Sequence, residues 1–135
     1  METMVSNTAI VSDMFDAFKR GDIDTVMDHM HPDITWVVTG AAPIAYAGTY
    51  KGKVHTATFF TALSKAVTFQ EFEVERILDA GNNTVVSVGH FRGTVIATGK
   101  QFKSDWVMID ELDENGLVTS FHDYTDSQDV ANAFI

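Results

Sequence analysis

Apolar residues in the first third of the chain recur at helical spacing. Ile10, Val11, Met14, Phe15 and Phe18 make a stripe over Thr8 to Arg20, which predicts a helix capped by Ser6 or Asn7. Lys19-Arg20-Gly21-Asp22 breaks it, and Ile23, Val26, Met27 and Met30 resume the spacing. Asp22 stands where an N-cap carboxylate can take up free backbone N–H groups of this second helix. The residue before a proline is pushed out of the α region, so His31-Pro32-Asp33 ends the helix. Ile34 to Val38 follows as an apolar, β-branched strand. Thr39 to Tyr50 is small, glycine-containing and interrupted by Pro43, hence a loop or short hairpin. Val54, Ala57, Phe60 and Leu63 predict a third helix over Lys53 to Lys65.

The period then changes to two. Phe69 to Leu78, Thr84 to Ala97, Gln101 to Leu112 and Leu117 to Thr125 predict four strands. Their connections are short polar turns rich in Gly, Asn and Asp, so neighbours pair antiparallel. Asp126 to Ile135 reads as a short terminal helix or arm. Helices first and an antiparallel sheet afterwards is an α+β arrangement, here over a single domain spanning 1–135.

Composition narrows the function by exclusion. A hydrophobic fraction of 45% with ten phenylalanines is enough for a core and for an apolar hollow within it. The formal charge of −10 and the lack of any Lys/Arg cluster argue against nucleic acid and against an anionic membrane surface. With no cysteine there is no thiol nucleophile, disulfide or Cys-based zinc site. METMVSNTAI lacks a basic n-region and a long apolar run, so it does not read as a signal peptide, and the cytoplasm is the expected location.

Five segments together resemble a known family: Phe18-Lys19-Arg20-Gly21-Asp22, Pro32-Asp33-Ile34-Thr35-Trp36, Gly48-Thr49-Tyr50-Lys51-Gly52-Lys53, Phe59-Phe60, and Gly116 to Asp126. The layout is similar to that of the nuclear transport factor 2-like superfamily, nearest its SnoaL-like (polyketide-cyclase-like) branch. The resemblance implies a cone: three N-terminal helices packed in the concave side of a strongly curved mixed, mostly antiparallel sheet. Enzymes, binding proteins and assembly modules all use this fold, so it specifies architecture better than reaction.

Alternation puts Thr119, Phe121, Asp123 and Thr125 on one face of the last strand, with Ser120, His122 and Tyr124 on the other. On the strand before it, Asp105, Val107 and Ile109 share one face, and Ser104, Trp106 and Met108 the other. The resemblance implies that Asp105 matches the protonated aspartic acid of ketosteroid isomerases. It likewise implies that Asp123 matches the catalytic aspartate of limonene-epoxide hydrolases and, less directly, that of the cyclases. Both aspartates are therefore expected to face the cavity as catalytic groups. Trp36, Tyr46, Phe91, Phe18, Phe121, Val38 and Met14 are the expected ligand-binding walls. A carboxyl in such surroundings loses solvation and titrates high, which suits proton transfer at neutral pH.

Departures from those enzymes matter equally. Met14 stands where the isomerases keep a tyrosine, and Val38 where they keep the base. Gly89 and Phe91 stand where the epoxide hydrolases keep an arginine and an aspartate. Steroid isomerisation and epoxide opening are thus disfavoured. A cofactor-independent cyclase, isomerase or dehydratase acting on a hydrophobic carbonyl compound is the leading reading. The alternatives are a non-catalytic binding protein for a small apolar ligand and a dimerisation module with a vestigial cavity. No cofactor and no metal are expected, since no histidine pair has zinc-motif spacing. His90, Arg92, Trp106, Met108, His122 and Tyr124 are expected on the convex face, where their residue types favour a homodimer contact.

Overall fold

The computed structural model describes residues 5–135, so the start of the segment read above for a leader lies outside the described residues. Helix α1 (Asn7–Lys19) begins at Ser6, whose Oγ accepts from the Ala9 N–H at 3.2 Å. Its buried stripe is Ile10, Val11, Met14 and Ala17. Gly21, at φ 78°, takes the left-handed turn to α2 (Ile23–Asp28). Asp22 caps α2 as its position suggested, accepting from the Thr25 N–H at 3.1 Å and the Thr25 hydroxyl at 2.6 Å.

Strand β1 (Met30–Val38) starts four residues earlier than the sequence suggested. Helix α2 stops at Asp28, ahead of the His31-Pro32 pair, and Pro32 lies inside the strand, where an extended residue suits its fixed φ. The ladder to β6 bears its mark. Pairing jumps from Met30↔Val118 to Thr35↔Ser120, leaving the proline segment out of register. The predicted loop ends in a short strand, β2 (Gly48–Lys51), antiparallel to β1. Helix α3 (Lys53–Ala66) follows.

The rest is a meander of β3 (Val67–Gly81), β4 (Thr84–Val95), β5 (Gln101–Leu112) and β6 (Val118–Thr125), closed by α4 (Ser127–Ala133). Asn82 and Asn83, both with positive φ, make the two-residue β3–β4 turn whose twist matches the flanking strands. The six strands run in the order β2-β1-β6-β5-β4-β3, and only β1–β6 is parallel. The curved sheet and its helices form the mixed α+β arrangement expected, with α4 added as a fourth helix.

The core lies between the concave sheet face and α1–α3. One contact there depends on a missing side chain. Gly89 of β4 faces inward, and a Cβ at that position would sit 2.3 Å from Trp106 Cζ2 and 2.1 Å from the Glu73 carbonyl oxygen. The Trp106 indole occupies that space, stacked on Phe15 (5.4 Å between centroids) and Phe72 (5.5 Å). Among the described residues, no helix is long and apolar enough to cross a membrane.

Candidate active site

A cavity of about 110 Å³ opens between the concave sheet and the helices. The register of the strands explains which side chains reach it. Across β5, β6 and β1, Asp110, Phe121 and Trp36 are cross-strand neighbours in one row. In the next row Met108 pairs with Asp123, and Val38 is two residues beyond Trp36 on the same face of β1. The two carboxyl-bearing residues are therefore diagonal neighbours, a relation that corresponds to about 7–8 Å between Cα positions.

Eight expected residues line this cavity: Met14 and Phe18 from α1, Trp36 and Val38 from β1, Tyr46 from the β1–β2 loop, Phe91 from β4, and Phe121 and Asp123 from β6. Phe121 lies flat on Trp36, with centroids 3.7 Å apart and planes at 13°. Phe59 and Phe60 of α3 close on the Trp36 ring at 5.7 and 5.5 Å. The Trp36 indole N–H is buried and has no hydrogen-bond partner among the described residues.

Asp123 is buried, and Oδ1 accepts from the Thr39 N–H at 2.6 Å. The Thr39 hydroxyl also donates to the Asp123 carbonyl, which locks the end of β1 to β6. Burial pushes the Asp123 carboxyl up to about 6, against the opposing effects of the Thr39 hydrogen bonds and of His122. Tyr46 faces the same space. Burial, with the nearby Asp123 charge, pushes its phenol well above the usual tyrosine range. Its backbone carbonyl accepts from the Tyr50 hydroxyl at 2.8 Å, fixing the loop over the cavity.

Asp105 is not part of this site. It is exposed on the convex face, opposite His90 in the β4–β5 ladder. The phase expected for β5 is inverted: Ser104, Trp106, Met108 and Asp110 point inward, and Asp105, Val107 and Ile109 point outward. Trp106 and Met108 are accordingly buried and absent from the convex face. The physical reason is area. Burying Phe102, Trp106, Met108 and Leu112 removes more apolar surface from water than burying Val107 and Ile109.

The inversion brings in Asp110, a residue the sequence reading passed over. It is 3% exposed, lines the cavity, and burial alone pushes its carboxyl up to about 7. No hydrogen bond reaches this carboxyl among the described residues, whereas that of Asp123 accepts from the Thr39 backbone N–H. Following the bulky apolar alternation of β5 to its end would have found it, because Asp110 keeps the phase of Trp106 and Met108. Among the described residues, no Lys, Arg or His lines the cavity. Such an enclosure can hold one carboxyl ionised and its neighbour neutral at the same pH.

A profile of the SnoaL-like domain matches residues 11–121. The chain belongs to the SnoaL-like family. Two solved nuclear transport factor 2-like proteins share its fold at appreciable identity. One, from Burkholderia thailandensis, is 30% identical over 98% of this chain and 99% of that one, with a TM-score of 0.87. The other, from Burkholderia xenovorans, is 31% identical over 94% of each chain, with a TM-score of 0.83. A candidate SnoaL-like polyketide cyclase from Mesorhizobium loti is 20% identical over 89% of this chain and 99% of that one, with a TM-score of 0.73, a likeness of fold. No curated protein matches the chain in sequence.

The histidines of this SnoaL-like chain lie away from the cavity. His90 bonds Glu75 at 2.7 Å and Glu71 at 2.8 Å, and the Glu75 bond leads in raising its pKa. His29 pairs with Asp13 at 2.7 Å at the end of α2, and His122 stacks on Tyr124. Among the described residues, no cluster of three His, Cys, Asp or Glu side chains could hold a metal ion.

Proposed function

We propose that this protein is a cofactor-independent acid–base enzyme of the cyclase or isomerase kind, acting on a small apolar carbonyl compound. The observation that carries the reading is the pair Asp110 and Asp123 in one aromatic cavity whose lining, among the described residues, includes no Lys, Arg or His. Their surroundings divide the roles. The Thr39 N–H favours the ionised form of Asp123, which suits a base. Asp110 lacks any such donor, titrates higher, and suits a neutral hydrogen-bond donor. In the proposed step Asp123 takes a proton from the carbon next to a carbonyl while Asp110 hydrogen-bonds the carbonyl oxygen. The electron pair of the broken C–H bond moves into the enolate, which Asp110 stabilises, and Asp123 then returns the proton to the same or another carbon. The aromatic walls exclude water and strengthen both interactions. Trp36, Tyr46, Phe91, Phe18, Phe121, Val38 and Met14 serve as the ligand-binding walls in this reading.

The test is proton exchange in D₂O. With 4-phenylbutan-2-one or 2-indanone, the protein is expected to accelerate loss of the α-proton signals saturably, fastest between about pH 6 and about pH 7, where base and acid coexist. Saturable uptake with no acceleration over buffer would make it a binding protein instead. No uptake at all would leave a module with a vestigial cavity.

We also propose a homodimer through the convex sheet face. Val86 and Val88 pair across the ladder with Ile109 and Val107, and Val107 in turn faces Tyr124. Tyr124 is 47% exposed, and an apolar sheet face left in water is costly. Sedimentation is expected to give twice the chain mass of 14.9 kDa, and Val107→Glu the single mass. A monomer in the unmodified protein would refute this contact.

A further inference from the structure

The cavity does not end where its apolar walls meet. A groove of about 350 Å³ runs outside it, between the C-terminal end of α1 (Phe18 and Lys19) and residues Phe69 to Glu73 of β3. Phe18, Phe69 and Phe72 line both the groove and the cavity. Their rings form a closed triangle, with centroids 5.1 Å (Phe18–Phe72), 6.3 Å (Phe18–Phe69) and 5.7 Å (Phe69–Phe72) apart. All three are only half-buried although they belong to the core. The partition between inside and outside is thus a single layer of three side chains.

A bulge builds this partition. In a regular strand, residues 69 and 72 would point to opposite faces. The β3–β4 register skips Gln70 between Phe69↔Gly93 and Glu71↔Arg92, so Phe69 and Phe72 reach the same side. β3 is also the last strand of the sheet, with no neighbour beyond it to cover the groove.

Size supplies the second argument. The inner space of about 110 Å³ is below the roughly 150 Å³ that accommodates a benzene ring in a closed apolar cavity. A ligand larger than one ring must extend beyond this space. Tyr46 is tied to the loop by the Tyr50 hydroxyl on its carbonyl, whereas the triangle is held by ring contacts alone.

We propose that the groove is the outer part of the ligand site. Ligands pass the Phe18–Phe69–Phe72 triangle, and an elongated ligand keeps its apolar end in the cavity and an uncharged, hydrogen-bonding end in the groove. The rim carries Lys19, Gln70, Glu71 and Glu73, one ammonium and two carboxylates, which disfavours an anionic end and suits a hydroxyl or ether that can both donate and accept. This rests on the reading of the cavity as a ligand site.

The absence of native cysteine makes the test clean. Lys19→Cys is modified with a bulky maleimide, and Val54→Cys, at a position 88% exposed on α3, is modified in the same way as control. Binding of 4-phenylbutan-2-one is followed by stopped-flow quenching of tryptophan fluorescence. The label at position 19 is expected to slow association by at least about tenfold, while the control matches the unlabelled protein. A phenyl ketone extended by a hydroxyalkyl chain is expected to lose affinity only with the label at position 19. Equal rates for the two labelled proteins would overturn the route while leaving the cavity as a ligand site. No binding in unlabelled protein would overturn both.

Discussion

Asp123→Asn is expected to reduce catalysed α-proton exchange by about 10²–10⁴-fold, the usual contribution of a positioned base, with ketone affinity unchanged within about threefold. The substitution keeps shape and keeps an oxygen to accept from the Thr39 N–H, so the β1–β6 connection survives. What it removes is the ability to take a proton. The fall should therefore appear in the maximal rate and not in the concentration of ketone needed to reach half of it. A loss of binding together with rate would assign Asp123 to holding the ligand, and an unchanged rate would end the proposal that it is the base.

Asp110→Asn is expected to stabilise the protein at high pH and to leave it nearly unchanged at low pH. In the fold the Asp110 carboxyl titrates near 7, and in the open chain near 3.8. The folded state thus holds more protons at this group between those values, so the Asp110 contribution is most favourable below about pH 4 and is lost as pH rises through about 7. Asp123, near 6 in the fold, adds a smaller decline of the same sign. A shift of roughly three units corresponds to about 4 kcal/mol as an upper bound. Asparagine carries no charge to desolvate, so the variant should lose most of this decline. Thermal melts should show Tm higher than that of the unmodified protein by on the order of 10 °C at pH 8, and close to it at pH 4.5. An equal difference at both values would mean that packing, not ionisation, sets the effect.

These two aspartates also mark how far the chain alone could be read. Local signals were strong wherever one residue type had one reason to be present. Asp22 before Ile23 caps a helix, Asn82-Asn83 turns a hairpin, and the apolar stripe of α1 faces the core. Alternation grouped Phe121 with Asp123 against His122 and Tyr124, and the resemblance turned the first pair toward the cavity. On β5 both phases carry apolar residues, so alternation by itself left the inside ambiguous, and matching Asp105 to other enzymes favoured the wrong face. Comparing the bulk of Trp106 and Met108 with that of Val107 and Ile109 resolves it and brings Asp110 inward. The Phe18–Phe69–Phe72 triangle lay beyond reach for a different reason. It depends on one extra residue in β3, and a bulge leaves no compositional mark at Gln70.

Raising the titration of two acids has a consequence for the molecule as an electrolyte. Near pH 6 the folded chain retains about one proton or somewhat more that the open chain surrenders, so denaturation acidifies its medium. The heat drawn in a calorimeter then includes the buffer's own ionisation heat, and differs between phosphate and an amine buffer at the same temperature. The formal charge of −10 belongs to the denatured chain, and the native particle migrates in an electric field as a less strongly charged anion.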